Sequence, residues 1–144
     1  MTLDLNTNKI NNMKRGIEFR GLRTDGKGWI YGSLIDFGSF FAIWNKEGDL
    51  LDYIQQDRRI SPEYVVLKES VGQYTGLKDK NGTKIFEGDK LVFKNEALKD
   101  FTISDVGIYY YDGAFCITIL YDLHSVPICQ DDCDSSEIIG NIHE

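Results

Sequence analysis

The pair Asn81-Gly82 fixes more about this chain than any other feature of its sequence. It lies within Gln73-Tyr-Thr-Gly-Leu-Lys-Asp-Lys-Asn-Gly-Thr-Lys-Ile-Phe-Glu-Gly-Asp89. Asn-Gly between alternating residues favours a two-residue type I′ turn, whose two central positions both need positive φ. That turn sets Lys80 opposite Thr83, Asp79 opposite Lys84, Lys78 opposite Ile85 and Leu77 opposite Phe86. Leu77 and Phe86 then form an apolar cross-strand pair, and Asp79 and Lys84 an opposite-charge pair.

Glu87-Gly88-Asp89 follows directly and reads as a second turn or bulge before the run Lys90–Lys94. A carboxylate pair there would suit metal binding or acid–base work. The expected role is plainer, with both acids capping the turn and facing water, because Gly-Asp pairs mark turns.

A second hairpin is predicted at Asp112-Gly113. It pairs Tyr111 with Ala114, Tyr110 with Phe115, Ile108 with Ile117 and Val106 with Ile119. Val106, Ile108, Tyr110, Phe115, Ile117 and Ile119 form the expected core face. The other face carries Tyr109 and Tyr111, a candidate interaction face, beside Gly107, Ala114, Cys116 and Thr118.

The remaining chain adds short strands and turns. Ile17–Leu22 reads as a strand, and Thr24–Gly28 as a turn. Trp29–Phe37 alternates Trp29, Tyr31, Ser33, Ile35 and Phe37 on one face. Phe40–Trp44 is a further strand, Asn45–Asp49 a turn and Leu50–Ile54 a return strand. Gln55–Pro62 is a polar loop, Pro62-Glu63 suits the start of a short helical turn, and Tyr64–Leu67 is a strand. Asn95–Asp100 has helix formers but is short, so helix and loop insertion remain open over Phe93–Ser104. Ile138–Ile142 closes the chain as a strand around Gly140. Many short strands with frequent glycine turns argue an all-β protein, a small barrel or sandwich.

The chain has 144 residues, 42% of them hydrophobic, enough for a core without disulfide or metal staples. Its formal charge of −7 opposes docking on nucleic-acid phosphates. The basic groups Lys14-Arg15 with Arg20 and Arg23, Arg58-Arg59, and Lys78, Lys80 and Lys84 make no long stripe and read as solvated surface. Residues 1–13 read as a dispensable flexible tail without a secretory apolar region, and Met13 as a second start. No apolar run reaches bilayer-spanning length, so no membrane partner is expected. The count of three cysteines is odd and fits a reducing, cytoplasmic setting.

His124, Cys129, Asp131, Asp132, Cys133 and His143 form the sole metal-like cluster. Cys129-x₃-Cys133 suits zinc in spacing, but no second cysteine pair exists, so no metal and no cofactor are expected. Cys116 reads as a small packing residue. No nucleophile triad or phosphate loop is present; Gly26, Gly28 and Gly32 lack a following helix. No catalytic residue is assigned, and the chain is read as a non-enzyme.

The chain resembles the YopX family of phage and prophage proteins. The resemblance rests on Ile17–Leu22, on Val71–Gly82 with Ile85–Asp89, and on Ile138–Ile142 with Glu144. It implies two β subdomains, here residues 14–60 and 61–144, the second an SH3-like barrel, and it implies no catalytic activity. The motif residues Gln73, Tyr74, Thr75, Gly76, Leu77, Asp79, Asn81, Gly82, Glu87, Gly88, Asp89, Gly140 and Asn141 then look mainly structural. Gln73, Tyr74 and Asp79 are the ones that surface exposure would make functional. The expected protein is a phage or prophage accessory factor acting by protein contact or self-association. A nucleic-acid-binding module using the C-terminal barrel is the alternative, disfavoured by net charge.

Overall fold

A computed structural model describes residues 16–47, 50, 59–95, 98–102, 107–119 and 124–144. The chain is all-β, as expected, and every strand pairing is antiparallel. The strands in chain order are β1 Phe19–Leu22, β2 Trp29–Asp36, β3 Phe41–Trp44, β4 Val65–Val66, β5 Gly72–Lys78 and β6 Lys84–Phe86. They continue with β7 Asp89–Asn95, β8 Leu98–Thr102, β9 Tyr109–Tyr111, β10 Ala114–Ile119, β11 His124–Pro127 and β12 Ser136–Asn141. One short helix, α1 Gln130–Cys133, precedes β12, and a 3₁₀ turn spans Pro62–Tyr64 as the proline suggested.

Three sheets result: β4-β3-β2-β1-β5-β6, β11-β10-β9 and β12-β7-β8. All three are open among the described residues, so no closed barrel is formed by them. The six-stranded sheet crosses residue 60, because β5 pairs with β1 and β4 pairs with β3. The described residues form two apolar clusters. One gathers Ile30, Ala42, Ile43, Tyr64 and Val66, and the other Ile85, Leu91, Ile108, Phe115 and Cys133. No helix among the described residues is long and apolar enough to cross a membrane.

The Asp112-Gly113 hairpin has the expected register, Tyr111 with Ala114 and Tyr110 with Phe115. Both turn residues have positive φ, 50° and 83°, as a type I′ turn demands. Two details differ from expectation. Tyr110, assigned to the core, is 58% exposed, and Ile108 leaves β10 to bond with residues 88 and 89. Val106 lies outside the described residues.

The Asn81-Gly82 hairpin corrects the expectation. Only Gly82 has positive φ, at 78°. Gly82 N–H bonds the Asp79 carbonyl, and Asp79 N–H bonds the Thr83 carbonyl. That is a three-residue loop with a bulge, which moves the pairing to Lys78 with Lys84, and a separate register shift between Tyr74 and Lys78 then sets Tyr74 opposite Phe86. The cause is Asp79, whose buried Oδ1 accepts the N–H groups of Asn81 and Thr83 at 2.9 and 3.0 Å. A carboxylate folded back on its own turn outweighs the exposed cross-strand charge pair, and Lys84 pairs with Glu18 instead.

Two further readings change. In β2 the core-facing residues are Ile30 and Leu34, so Trp29 and Tyr31 lie on the opposite face. The stretch Leu98–Thr102 is a strand rather than helix or loop insertion, paired with β7 through Val92–Thr102 and Phe93–Phe101. Non-local pairing here outweighs the modest helix propensity of a short window. Leu50 is helical, unlike the return strand expected at Leu50–Ile54, and residues 51–58, with the rest of that stretch and the first half of the Gln55–Pro62 loop, lie outside the described residues.

Candidate functional site

Arg20 is the organising residue. It sits in β1 opposite Tyr31 of β2, where Trp29 pairs with Leu22. This register gathers Arg20, Trp29 and Tyr31 on the sheet face away from the first core. The Arg20 guanidinium carbon lies 4.5 Å from the Trp29 ring centroid and 5.1 Å from that of Phe86. A weakly hydrated guanidinium stacks well on such rings. Its Nη2 contacts Asp89 Oδ1 at 2.7 Å and donates to the Glu87 carbonyl at 3.1 Å. Arg20 and Asp89 are 6% and 2% exposed, so the ion pair is buried. Arg20 Nε is buried and has no hydrogen-bond partner among the described residues.

Asp89 also accepts the Phe86 N–H through Oδ2 at 2.8 Å. Burial pushes its carboxyl above the ordinary carboxylate value, and Arg20 and the Phe86 N–H only partly oppose that. The expected picture of Glu87 and Asp89 as solvated caps is therefore half right. Asp89 does cap the turn but is buried against Arg20, whereas the Glu87 carboxylate reaches across to β5. Glu87 Oε2 accepts the Gln73 N–H at 2.8 Å.

Gly88 between them is where the three sheets meet. Its N–H bonds the Ile108 carbonyl at 2.7 Å, and its carbonyl accepts the Ile142 N–H at 2.9 Å. The Ile108 N–H returns to the Asp89 carbonyl. Gly88 has φ of 86°, and the facing Gly107 is so close that a Cβ there would sit 2.8 Å from the Gly88 carbonyl oxygen. Backbone from β6–β7, the entry to β9 and the exit of β12 thus lock together at one glycine.

Beside this hub lies a cleft of about 420 Å³. Trp29, Tyr31, Phe86 and Ile138 give it apolar walls, and Arg20, Thr83, Lys84, Asp89, Asn141 and Glu144 its polar groups. Tyr31 meets Phe86 edge-on at 5.5 Å, and Trp29 meets His143 at 5.9 Å. A β-bulge between Ile138 and Gly140 precedes the end of β12, where Gly140 and Asn141 line the cleft. Asn141 fixes that end, donating from Nδ2 to Glu144 Oε1 at 2.7 Å and accepting the His143 N–H through Oδ1 at 2.8 Å. The arrangement can hold a ligand by stacking and ion pairing.

The other motif residues fall around the hub or the hairpin. Thr75 is buried and donates from Oγ1 to the Ile85 carbonyl at 2.8 Å, while Gly76 has φ of 86° in the β5 irregularity. Leu77 packs on the second core. Gln73 is half-buried. Tyr74 and Asp79, considered as surface candidates, are 7% and 6% exposed. Asp79 Oδ2 also accepts the Ile138 N–H at 3.3 Å, tying the hairpin to β12. The sequence reading leaves Arg20 among solvated charges, Trp29 and Tyr31 in strand alternation alone and Glu144 in the closing motif; the lone arginine in Phe19–Leu22 is the one signal of a buried partner.

The face expected from Tyr109 and Tyr111 is split. Tyr109 is half-buried, its hydroxyl hydrogen-bonding with Thr118 Oγ1 at 2.9 Å and Ser125 Oγ at 2.6 Å. Tyr111 is 59% exposed and stands next to Tyr110. The Cys/His cluster does not converge. Cys133 is buried in the second core, Cys129 is exposed and bonds Asp132 Oδ2 at 3.1 Å, and His143 lies by Trp29. Among the described residues no group of three or more His, Cys, Asp or Glu is placed to hold a metal ion. The His124 side chain is outside them. Cys116 is buried, as a packing residue should be.

Comparison with known proteins agrees with this architecture. A crystal structure of protein EF1440 from Enterococcus faecalis is similar over 90% of this chain and 95% of that one, at 26% identity and a TM-score of 0.52. No curated protein matches the chain. The model of the YopX protein family matches residues 18–144, which include the Arg20–Asp89 hub, the cleft and, apart from Ile17, all three stretches that suggested the resemblance. The chain belongs to the YopX family.

Proposed function

We propose that this protein acts without catalysis, through protein–protein contact, as a cytoplasmic accessory factor encoded by a phage or prophage. Its primary partner is a second copy of itself. The observation that carries this reading is the outer strand β9. Among the described residues it ends the order β11-β10-β9 with no strand on its far side, and it presents Tyr110 and Tyr111 at 58% and 59% exposure. In a two-residue hairpin the residue one step before the loop-closing pair turns its N–H and carbonyl outward, so Tyr110 offers an edge for strand pairing. Adjacent exposed tyrosines add large contact area at low entropic cost.

The sheets β11-β10-β9 and β12-β7-β8 share one apolar cluster, which supports reading the C-terminal half as an opened small barrel of the SH3-like kind. The nucleic-acid alternative has weaker support. Lys80 and Lys84 are each paired with a glutamate, which leaves little free positive charge on that face.

Light scattering on purified protein tests the proposal, with and without a short mixed oligonucleotide, at low and moderate salt. A stable oligomer indifferent to oligonucleotide is expected, and Tyr110→Ser with Tyr111→Lys should return it to a monomer. A monomeric wild type, or a salt-sensitive mass gain with oligonucleotide, would overturn it.

A further inference from the structure

We infer that the cleft beside the Arg20–Asp89 hub binds a basic side chain, lysine or arginine, presented by an extended peptide. This is a site separate from the β9 edge, and it does not depend on self-association.

Charge decides the ligand class. Arg20 is neutralised by Asp89, and Lys84 by Glu18. Glu144 is left as the cleft's carboxylate with no cation partner among the described residues. Its Oε1 accepts only a neutral amide hydrogen from Asn141. The lining charges of Arg20, Lys84, Asp89 and Glu144 cancel, and Glu18, beside Lys84, tips the balance to negative, in a chain of formal charge −7 that repels anions and draws cations.

Shape and chemistry agree. Trp29 and Tyr31, two positions apart on β2, share one face and form a wall of two rings. The aliphatic stem of lysine or the plane of arginine packs on such rings while the charged head meets a carboxylate at the rim. Arg20 already shows that this wall accepts a guanidinium, being stacked on Trp29 from within the protein. The volume, about 420 Å³, fits one long side chain with its flanking backbone. A second cleft shares the same two rings and is lined by Arg23, Lys46 and Glu63.

The test uses Trp29 as its own reporter. The chain has two tryptophans, and Trp44 packs against Tyr64 in the first core, away from the cleft. A Trp44→Phe background leaves Trp29 fluorescence to be titrated with three probes. These are a Gly-Ser peptide bearing spaced lysines and arginines, the same peptide with glutamates, and a short single-stranded oligonucleotide. The basic peptide should change the emission saturably, and added salt should weaken it. Glu144→Gln should weaken binding by about three- to fivefold, the scale of one exposed charge pair, with unchanged melting temperature and oligomeric mass. Should Trp44→Phe fold poorly, calorimetric titration of the full chain with the same probes replaces fluorescence. No response to the basic peptide, a response undiminished in Glu144→Gln, or a stronger response to the oligonucleotide would overturn the proposal. Oligomeric mass is read separately, so loss of self-association leaves this result standing, and the reverse holds too.

Discussion

Arg20 Nη2 and Asp89 Oδ1 stand 2.7 Å apart although 69 positions separate them in the chain. The contact joins the first strand of the six-stranded sheet to the first residue of β7. Both side chains are almost fully buried, so neither charge is sheltered by water once its partner is gone. Arg20→Ala should cost about 3–5 kcal/mol, because it strands a carboxylate. Asp89→Asn should cost less, since its amide oxygen can still accept the Phe86 N–H and Arg20 keeps the Glu87 carbonyl. Urea unfolding of the two variants measures the order, and equal losses would argue against a paired clamp.

The same pair sets a pH dependence. Burial holds the Asp89 carboxyl above its ordinary 3.8, so the folded protein binds this proton more tightly than the unfolded chain. The stability contributed is full below 3.8 and is lost as pH rises through the raised value. Asp89→Asn has no proton to lose and should gain on wild type across that rise. Melting temperatures of both proteins over the acid range check the sign.

Asp79 replaces the missing type I′ geometry with side-chain acceptors. Asp79→Ala removes one acceptor from the N–H groups of Asn81, Thr83 and Ile138. A loss of about 2–3 kcal/mol is expected, as for hydrogen bonds to a charged group. Hydrogen exchange should show faster exchange at Thr83 and at Ile138, two places far apart in sequence.

Two glycines with similar φ should respond differently to alanine. Gly82, at φ 78°, has open space where a Cβ would go, so Gly82→Ala should cost about 1 kcal/mol of backbone strain alone. Gly107, at φ 70°, would drive a Cβ to 2.8 Å from the Gly88 carbonyl and 2.9 Å from Ile142 Cγ2. Gly107→Ala should therefore cost clearly more, and denaturation of both variants side by side measures the difference.

The cysteines should divide by burial. Cys129 is exposed and should react readily with a thiol reagent in the native protein, whereas Cys116 and Cys133 should wait for unfolding. Burial, helped by Asp132, pushes the Cys133 thiol from 9.0 up to about 12. Between those values the unfolded chain loses a proton that the folded chain keeps. Stability should fall over that window, and less so in Cys133→Ala, as urea midpoints below and within it would show.

The sequence by itself determined the all-β class, the Asp112-Gly113 hairpin with its register, most strand positions and the family. These are local properties, set by turn chemistry and by side-chain alternation within a few residues. It did not determine the register at Asn81-Gly82, where two locally reasonable turns compete and a carboxylate touching β12 selects between them. Nor did it reveal the Leu98–Thr102 strand, whose pairing with β7 outweighs its own propensity. Above all, it left Arg20 and Asp89 looking like two solvated charges. Only the meeting of three sheets at Gly88 excludes water from both, and desolvation is a property of the assembled surfaces that no local stretch of sequence carries.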